Sequence, residues 1–441
     1  MKWELPLDIP LVTPTLGLPI WLYDALLVIV FVVHITFIYT LLGASFASVL
    51  YNITGVWKKS KVYDDLAYRL TNFTTVSENM GALWGVAPLL IIGVLYTGFF
   101  YTAIIKISPH ILHIIYGNIL AFLLSYAYKF SWKKMQDHKG FHILIGSAML
   151  ILFFSLPFVF MSMTNLYMQP ELFGQVKDIW DVMLTPLTGL RLLNFFLTTF
   201  TFFGAVMIFF ATRWNDPEDA EIRKLAIDQG KKWILFSAPL NVAILPLVLF
   251  AFSPRIGEGL MKTWFIALPF LAALILFWMV VYLIKQFTAA DFSRKEGTAL
   301  FSAMLVTVLL MATGRQGLRV VSFEEPVKVQ AEATQAYMNN MLVAYHEERA
   351  REKDRPEPAG DERQQLAEKK GCLACHSVEI RLVGPAYKQV AAKYRSPDEI
   401  ITSILKGSKG KWPELNGVAM PPNQVTEAEA RKLAEWILEQ R

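Results

Sequence analysis

Cys372-Leu373-Ala374-Cys375-His376 carries the densest chemistry in the chain. The spacing is C-x-x-C-H, the attachment signal for a c-type haem. Two thiols so spaced can each form a thioether with one haem vinyl group, and the adjacent imidazole then stands under the iron as its proximal ligand. These are the only two cysteines in 441 residues, so none remains for a disulfide or a thiolate zinc site. A thioredoxin-like redox pair shares the C-x-x-C spacing, but the residues that follow supply the other half of a haem site. Gly384-Pro385 comes shortly after, where the Pro385 carbonyl can orient the proximal ring. Met420, in Val418-Ala419-Met420-Pro421-Pro422, offers a thioether in a loop stiffened by two prolines. From Thr426 to Gln440, apolar and charged residues recur at helical spacing, which predicts a helix closing over the haem.

The haem motif, Gly384-Pro385, Trp412-Pro413, Met420-Pro421-Pro422 and the terminal helix come in a set order. In that order, residues 361–441 resemble a small bacterial class I cytochrome c over their whole length. The resemblance implies haem c bound covalently through Cys372 and Cys375. It also implies His376 and Met420 as axial ligands, an arrangement that raises the reduction potential, with Pro385 behind His376.

The remaining 360 residues have to be explained by composition. The chain is 54% hydrophobic and 18% charged, with mean hydropathy +0.39, which is a membrane-protein composition. Its formal net charge of +5 is mild and gives no reason to expect a nucleic-acid partner. No small-residue cleavage site follows a short apolar core, so the first apolar helix is expected to serve as an uncleaved signal. A bilayer takes about 20 apolar residues to span. Eight spans are predicted, at 20–50, 82–105, 109–130, 142–164, 187–211, 233–252, 263–285 and 298–313, the first too long for one perpendicular crossing. The domains are therefore a membrane domain over 1–316, a tether over 317–360 and the haem domain over 361–441. The tether contains a helix-forming charged stretch from Ala331 to Glu352, broken at Arg355-Pro356-Glu357-Pro358.

Two independent arguments fix the orientation. Haem c is attached outside the cytoplasm, so the segment after the eighth span lies outside, and with it the N-terminus. Loops then placed inside carry fourteen basic residues: Lys58, Lys59, Lys61, Arg69, Lys133, Lys134, Lys139, Arg213, Arg223, Lys224, Lys231, Lys232, Arg294 and Lys295. Those placed outside carry five: Lys2, Lys106, Lys177, Arg255 and Lys262. That is the positive-inside bias. The expected location is the bacterial inner membrane, with the haem domain on the periplasmic side.

Eight helices exceed what an anchor needs, and an ionisable residue inside a span is a functional candidate by default. Of seven histidines, His34 lies in the first span, while His110 and His113 share a face at the outer start of the third. His113 is the deeper of the two and the better ligand candidate. His142 starts the fourth span on the inside, and His138 and His346 are expected to be solvated. Glu78 and Asn79, just before the second span, read as a helix-start acid with its neighbour or as the beginning of a proton path.

His34-Ile35-Thr36-Phe37-Ile38-Tyr39-Thr40-Leu41-Leu42-Gly43, Thr164-Asn165-Leu166-Tyr167-Met168-Gln169-Pro170 and Gly314-Arg315-Gln316 resemble, in order and in side of the membrane, segments of subunit I of cytochrome bd-type oxidases. The resemblance covers about 20–320. It implies an all-α polytopic bundle, with His34 at the ligand position of haem d, Arg315 near haem propionates, and His113 where the family has a glutamate. Two positions depart from the pattern. The family's low-spin haem b histidine falls near Phe195, and its acidic high-spin haem b ligand near Leu305; Met304 and Met311 lie close by but read as packing. The segments 212–232 and 286–297 are too short for a quinol-binding loop. The expected cofactors are thus haem c, with haem b and/or haem d held by His34 and His113. Expected partners are the lipid bilayer, a second membrane subunit and a periplasmic donor such as a cytochrome c. The leading function is a cytochrome c-linked terminal oxidase subunit with His34, His113 and Arg315 at its reaction site. The alternatives are an electron-transfer subunit without oxygen chemistry, and a membrane half that only docks the haem domain to a larger complex.

Overall fold

The computed structural model describes residues 19–108, 110–286, 292–354, 361–413 and 418–441. Residues 1–18, including Lys2, and the proline-rich break at 355–358 lie outside the described residues. The described chain is helical throughout, with no strand and one isolated bridge, Ser408 to Met420. It forms two compact units, Met1–Met338 and Asn339–Arg441.

In the first unit, eight helices among the described residues are long and apolar enough to cross a membrane. They lie in α1 (Ile20–Lys58), α2 (Lys61–Leu95), α4 (Ile111–Ser131), α5 (Lys139–Tyr167), α7 (Pro186–Ala211), α8 (Ala220–Phe250), α10 (Ala267–Lys285) and α11 (Arg294–Asp354). Three short helices, α3 (Thr97–Lys106), α6 (Trp180–Met183) and α9 (Pro254–Met261), sit in the alternate connections. Neighbours in sequence pair as antiparallel hairpins, α1 with α2, α4 with α5 and α7 with α8, and α1 also packs on α7. Only short connections join them, and only internally hydrogen-bonded helices satisfy the backbone in lipid. α7 starts where Thr185 caps the Thr188 N–H and Pro186 takes the first turn, a position that has no intrahelical use for an N–H.

Several boundaries differ from the hydropathy reading. α1 has 39 residues, about 58 Å at 1.5 Å per residue, so it extends beyond a hydrocarbon core of about 30 Å. The predicted second span, 82–105, divides at Tyr96. Its helix begins at Lys61, in a stretch whose threonines mask it from a hydropathy window, and α3 turns Phe99, Phe100 and Ala103 into a separate core. Glu78 therefore lies inside α2 and not at a helix start. α11 does not stop at Gly314-Arg315-Gln316. It continues through Pro326 to Asp354, and Phe323 still stacks on Tyr96 and Tyr167 at 4.5 and 5.7 Å.

The second unit holds α12 (Glu362–Lys369), α13 (Tyr387–Lys393), α14 (Pro397–Lys406) and α15 (Glu427–Glu439). α15 opens with a reciprocal box in which Thr426 and Glu429 cap each other's backbone N–H groups. It buries Leu433, Trp436 and Ile437 against Tyr387, Ile400 and Ile404. Arg363 joins the two ends of the unit through Glu439 at 2.6 Å.

Candidate haem-binding sites

In the second unit a cavity with about 1140 Å³ of atom-free space, partly open to solvent, is lined by Cys372, Cys375, His376 and Met420. Cys372 and Cys375 flank a single helical turn after Gly371, and His376 follows it. The His376 Nδ1 lies 2.8 Å from the Pro385 carbonyl oxygen. A donor N–H there leaves Nε2 as the lone-pair nitrogen, the tautomer an iron ligand requires. Gly384 presses on the same ring, where a Cβ would stand 2.4 Å from Cε1. Tyr387 stacks on the His376 ring at 5.2 Å. Burial pushes the Cys372 thiol above its ordinary value and does the same to the Tyr387 phenol. Met420 is held by a two-way backbone bridge to Ser408, at 2.8 and 2.9 Å. Two thiols, a tautomer-fixed imidazole and a fixed thioether thus face one apolar space, and they fit a covalent haem.

In the membrane unit, His34, His113 and Arg315 occupy three separate settings. His34 Nδ1 lies 2.9 Å from the Gly81 carbonyl oxygen on α2. Gly85, one turn on, makes room for its ring, since a Cβ there would stand 2.9 Å from Cε1. His113 on α4 directs Nε2 at the Ser155 hydroxyl on α5, 2.8 Å away. Arg315 stands over the Phe31 ring at 5.0 Å, with its buried Nε lacking a hydrogen-bond partner. His110 faces Asp178 at 3.4 Å. His142 is buried, bonded to Asn52 and to the Tyr128 carbonyl and stacked on Tyr128. His138 lies in the turn before α5, and His346 is exposed. Glu78 is buried and accepts from the Ser125 hydroxyl at 2.5 Å.

A family model of cytochrome c matches residues 361–441. Over 79 residues the chain is 48% identical to cytochrome c-552 of Hydrogenobacter thermophilus, covering 17% of this chain and 78% of that protein. Over 80 residues it is 44% identical to cytochrome c-551 of Pseudomonas aeruginosa, covering 17% of this chain and 74% of that protein. Through these residues the chain belongs to the cytochrome c family. The bd oxidase of Geobacillus thermodenitrificans superposes on 77% of this chain and 99% of its own length, with TM-score 0.59 and 13% identity. That likeness establishes the fold of the membrane unit. The protein is a multi-pass membrane protein with a cytochrome c domain, and so a haem-containing electron-transfer protein.

The structure also explains two motifs that sequence alone left as resemblances. Asn165 donates to Thr188 at 2.6 Å and accepts from Arg191, while the Tyr167 hydroxyl accepts from Arg319 Nε at 2.9 Å. Gln316 donates to Asp24 at 2.7 Å and accepts from Arg319. The Thr164–Pro170 segment and the Gly314–Gln316 motif therefore hold one buried arginine group. Arg191 and Arg319 were missed at the sequence level. The signal was present in Arg191, an ionisable residue six positions into an apolar span.

Proposed function

We propose that the chain is the haem-bearing subunit of a bd-like respiratory complex, taking electrons from a periplasmic donor such as a soluble cytochrome c. They enter at haem c, reach haem in the membrane unit and go on to oxygen. The observation that carries this reading is the likeness between two histidines. His34 and His376 each give Nδ1 to a backbone carbonyl and each have a glycine against the ring, which leaves Nε2 to a metal. His376 does this in a haem domain, and His34 repeats it in an apolar span.

Bound haem supplies the redox couple and, where a coordination position is open, the place at which a small oxidant is reduced. The chain's own residues do the rest. Cys372 and Cys375 hold haem c, while His376 and Met420 set its axial field. His34 offers Nε2 to a membrane haem, of b or d type, and the Gly81 carbonyl holds the ring's orientation. His113, bonded to Ser155, is a second polar group among apolar helices, available to a haem or to a proton. Arg315 carries an unsatisfied N–H suited to a carboxylate. The basic inside loops support a periplasmic cytochrome c domain. The partners are a second membrane subunit and the lipid bilayer.

The test is oxygen uptake by the purified complex with reduced cytochrome c as donor. His34→Ala is expected to abolish uptake while haem c remains reducible. Undiminished uptake in that variant overturns the reading. Phe195 and Leu305, apolar where the family has ligands, favour a second reading, in which the subunit relays electrons without oxygen chemistry. Reduced membrane haem that binds no carbon monoxide would decide for the relay.

A further inference from the structure

The connections placed inside do not carry their charge alike. The α7–α8 connection, 212–232, has five basic residues and five acidic ones. Its charges are largely spent within the fold. Asp219 takes Arg69, Asp228 takes Lys232 at 2.6 Å, and Arg213 and Lys231 donate to backbone carbonyls. The α1–α2 and α4–α5 turns differ. Together they carry Lys58, Lys59, Lys61, Lys133, Lys134 and Lys139 against Asp64, Asp65 and Asp137. Lys139 takes Asp64 at 2.6 Å. Five exposed ammonium groups then stand against two carboxylates. Lys58 rests over the Tyr63 ring at 5.1 Å and is still exposed.

The Lys139–Asp64 pair also joins the two turns, because Lys139 starts α5 and Asp64 lies in the first turn of α2. One turn deeper, His142 of α5 lies 3.0 Å from Asn52 of α1. The ends of four helices thus form one basic surface. Beside the lysines the same helices expose apolar side chains. Trp57, next to Lys58, is 81% exposed, and Phe130, three residues before Lys133, is 68% exposed. Ile53 continues the Trp57 column one turn deeper on α1, and Leu123 continues the Phe130 column two turns deeper on α4. An exposed indole beside basic residues at a helix end marks the headgroup level of a bilayer. A soluble polyanion would meet the lysines and leave the apolar columns uncovered. An anion carrying acyl chains meets both.

We infer that the α1–α2 and α4–α5 turns form a docking site for an anionic phospholipid. Its phosphates lie on Lys58, Lys59, Lys133 and Lys134, and its acyl chains run along Trp57 and Phe130. Basic clusters on the inner side of membrane helices recognise anionic headgroups in this way. The site requires that the membrane unit span the bilayer and is independent of membrane haem and of oxygen chemistry.

Native mass spectrometry of the purified full chain, titrated with cardiolipin or with phosphatidylcholine, tests it. The wild type is expected to retain cardiolipin over phosphatidylcholine. Lys133→Gln/Lys134→Gln should weaken cardiolipin retention by more than about tenfold, since each juxtamembrane lysine contributes about fivefold. Lys58→Gln/Lys59→Gln repeats the test at the other turn. Arg223→Gln/Lys224→Gln, on the charge-balanced α7–α8 connection, should leave retention unchanged. Brominated cardiolipin should quench the fluorescence that Trp57→Phe removes. Equal retention of the two lipids by the wild type, or undiminished cardiolipin retention in both lysine pairs, overturns the proposal. An equal loss in the Arg223/Lys224 pair also overturns it, because the response would then follow net charge alone. Loss of a co-purifying membrane protein from the lysine variants, with cardiolipin retention unchanged, overturns it in favour of a protein occupant.

Discussion

At the scale of single residues, chemistry that is local in sequence was legible and chemistry that depends on a facing helix was not. Cys372, Cys375 and His376 are neighbours in the chain, so their spacing alone states their geometry. His34 was a candidate from its place in an apolar run, but its orientation comes from Gly81 and Gly85, residues of another helix. Glycine and a backbone carbonyl leave no mark on sequence that a spacing rule can read. The close fit at both histidines gives a prediction. Gly384→Ala places a Cβ 2.4 Å from the His376 ring, which forces the ring or Tyr387 to move. Overpacking of this kind costs about 1–3 kcal/mol. A thermal melt followed at the haem c absorbance should show that loss together with a disturbed His/Met spectrum, and an unchanged melt would contradict the packing account. Met420→Ala is expected to keep haem c covalently attached but open its sixth position, so that reduced haem c binds carbon monoxide and its potential falls. Carbon monoxide titration and a potentiometric titration check both outcomes.

At the scale of elements, the count of spans was legible while their edges were not. Hydropathy averages composition, so it could neither see that Tyr96 divides an apolar run nor follow α2 back through its threonines to Lys61. It also ended the last span near Gly314, because the charges of Arg315 and Arg319 conceal that the buried part of α11 runs on to Phe323. The terminal helix was read correctly because its apolar period and its Thr426 cap are both local. Its inner face carries the second unit's core, and Leu433→Ala is expected to cost about 2–5 kcal/mol, read by denaturant unfolding at the haem c band. The outer face has an acid dependence. Hydrogen bonds from Arg363 hold Asp361 and Glu439 below the ordinary carboxylate range, and the Thr426 backbone does the same for Glu429. Folded carboxyls with lowered values bind fewer protons than unfolded ones, so their stabilisation is present at neutral pH and is lost as pH falls through the carboxylate range. Arg363→Gln should flatten that acid dependence in melts taken between neutral pH and about pH 3. An unchanged slope would contradict the assignment.

At the scale of the whole molecule, eight candidate membrane helices among the described residues and the basic residues of the short connections support the proposed orientation, with the cytochrome c domain outside. Protease added to intact spheroplasts is therefore expected to release a haem-staining fragment, while sealed inside-out vesicles protect it. The reverse pattern would overturn the orientation. The sequence did not show that the buried arginines gather in one group, because Arg191 and Arg319 lie on helices distant in the chain. The central claim remains that His34 holds a membrane haem open to a small oxidant. Its most direct test is the carbon monoxide difference spectrum of the dithionite-reduced protein, wild type beside His34→Ala. The account predicts a carbon monoxide-sensitive haem besides haem c in the wild type and its loss in the variant. A wild type with only carbon monoxide-silent haem, or a His34→Ala spectrum identical to it, would contradict the account.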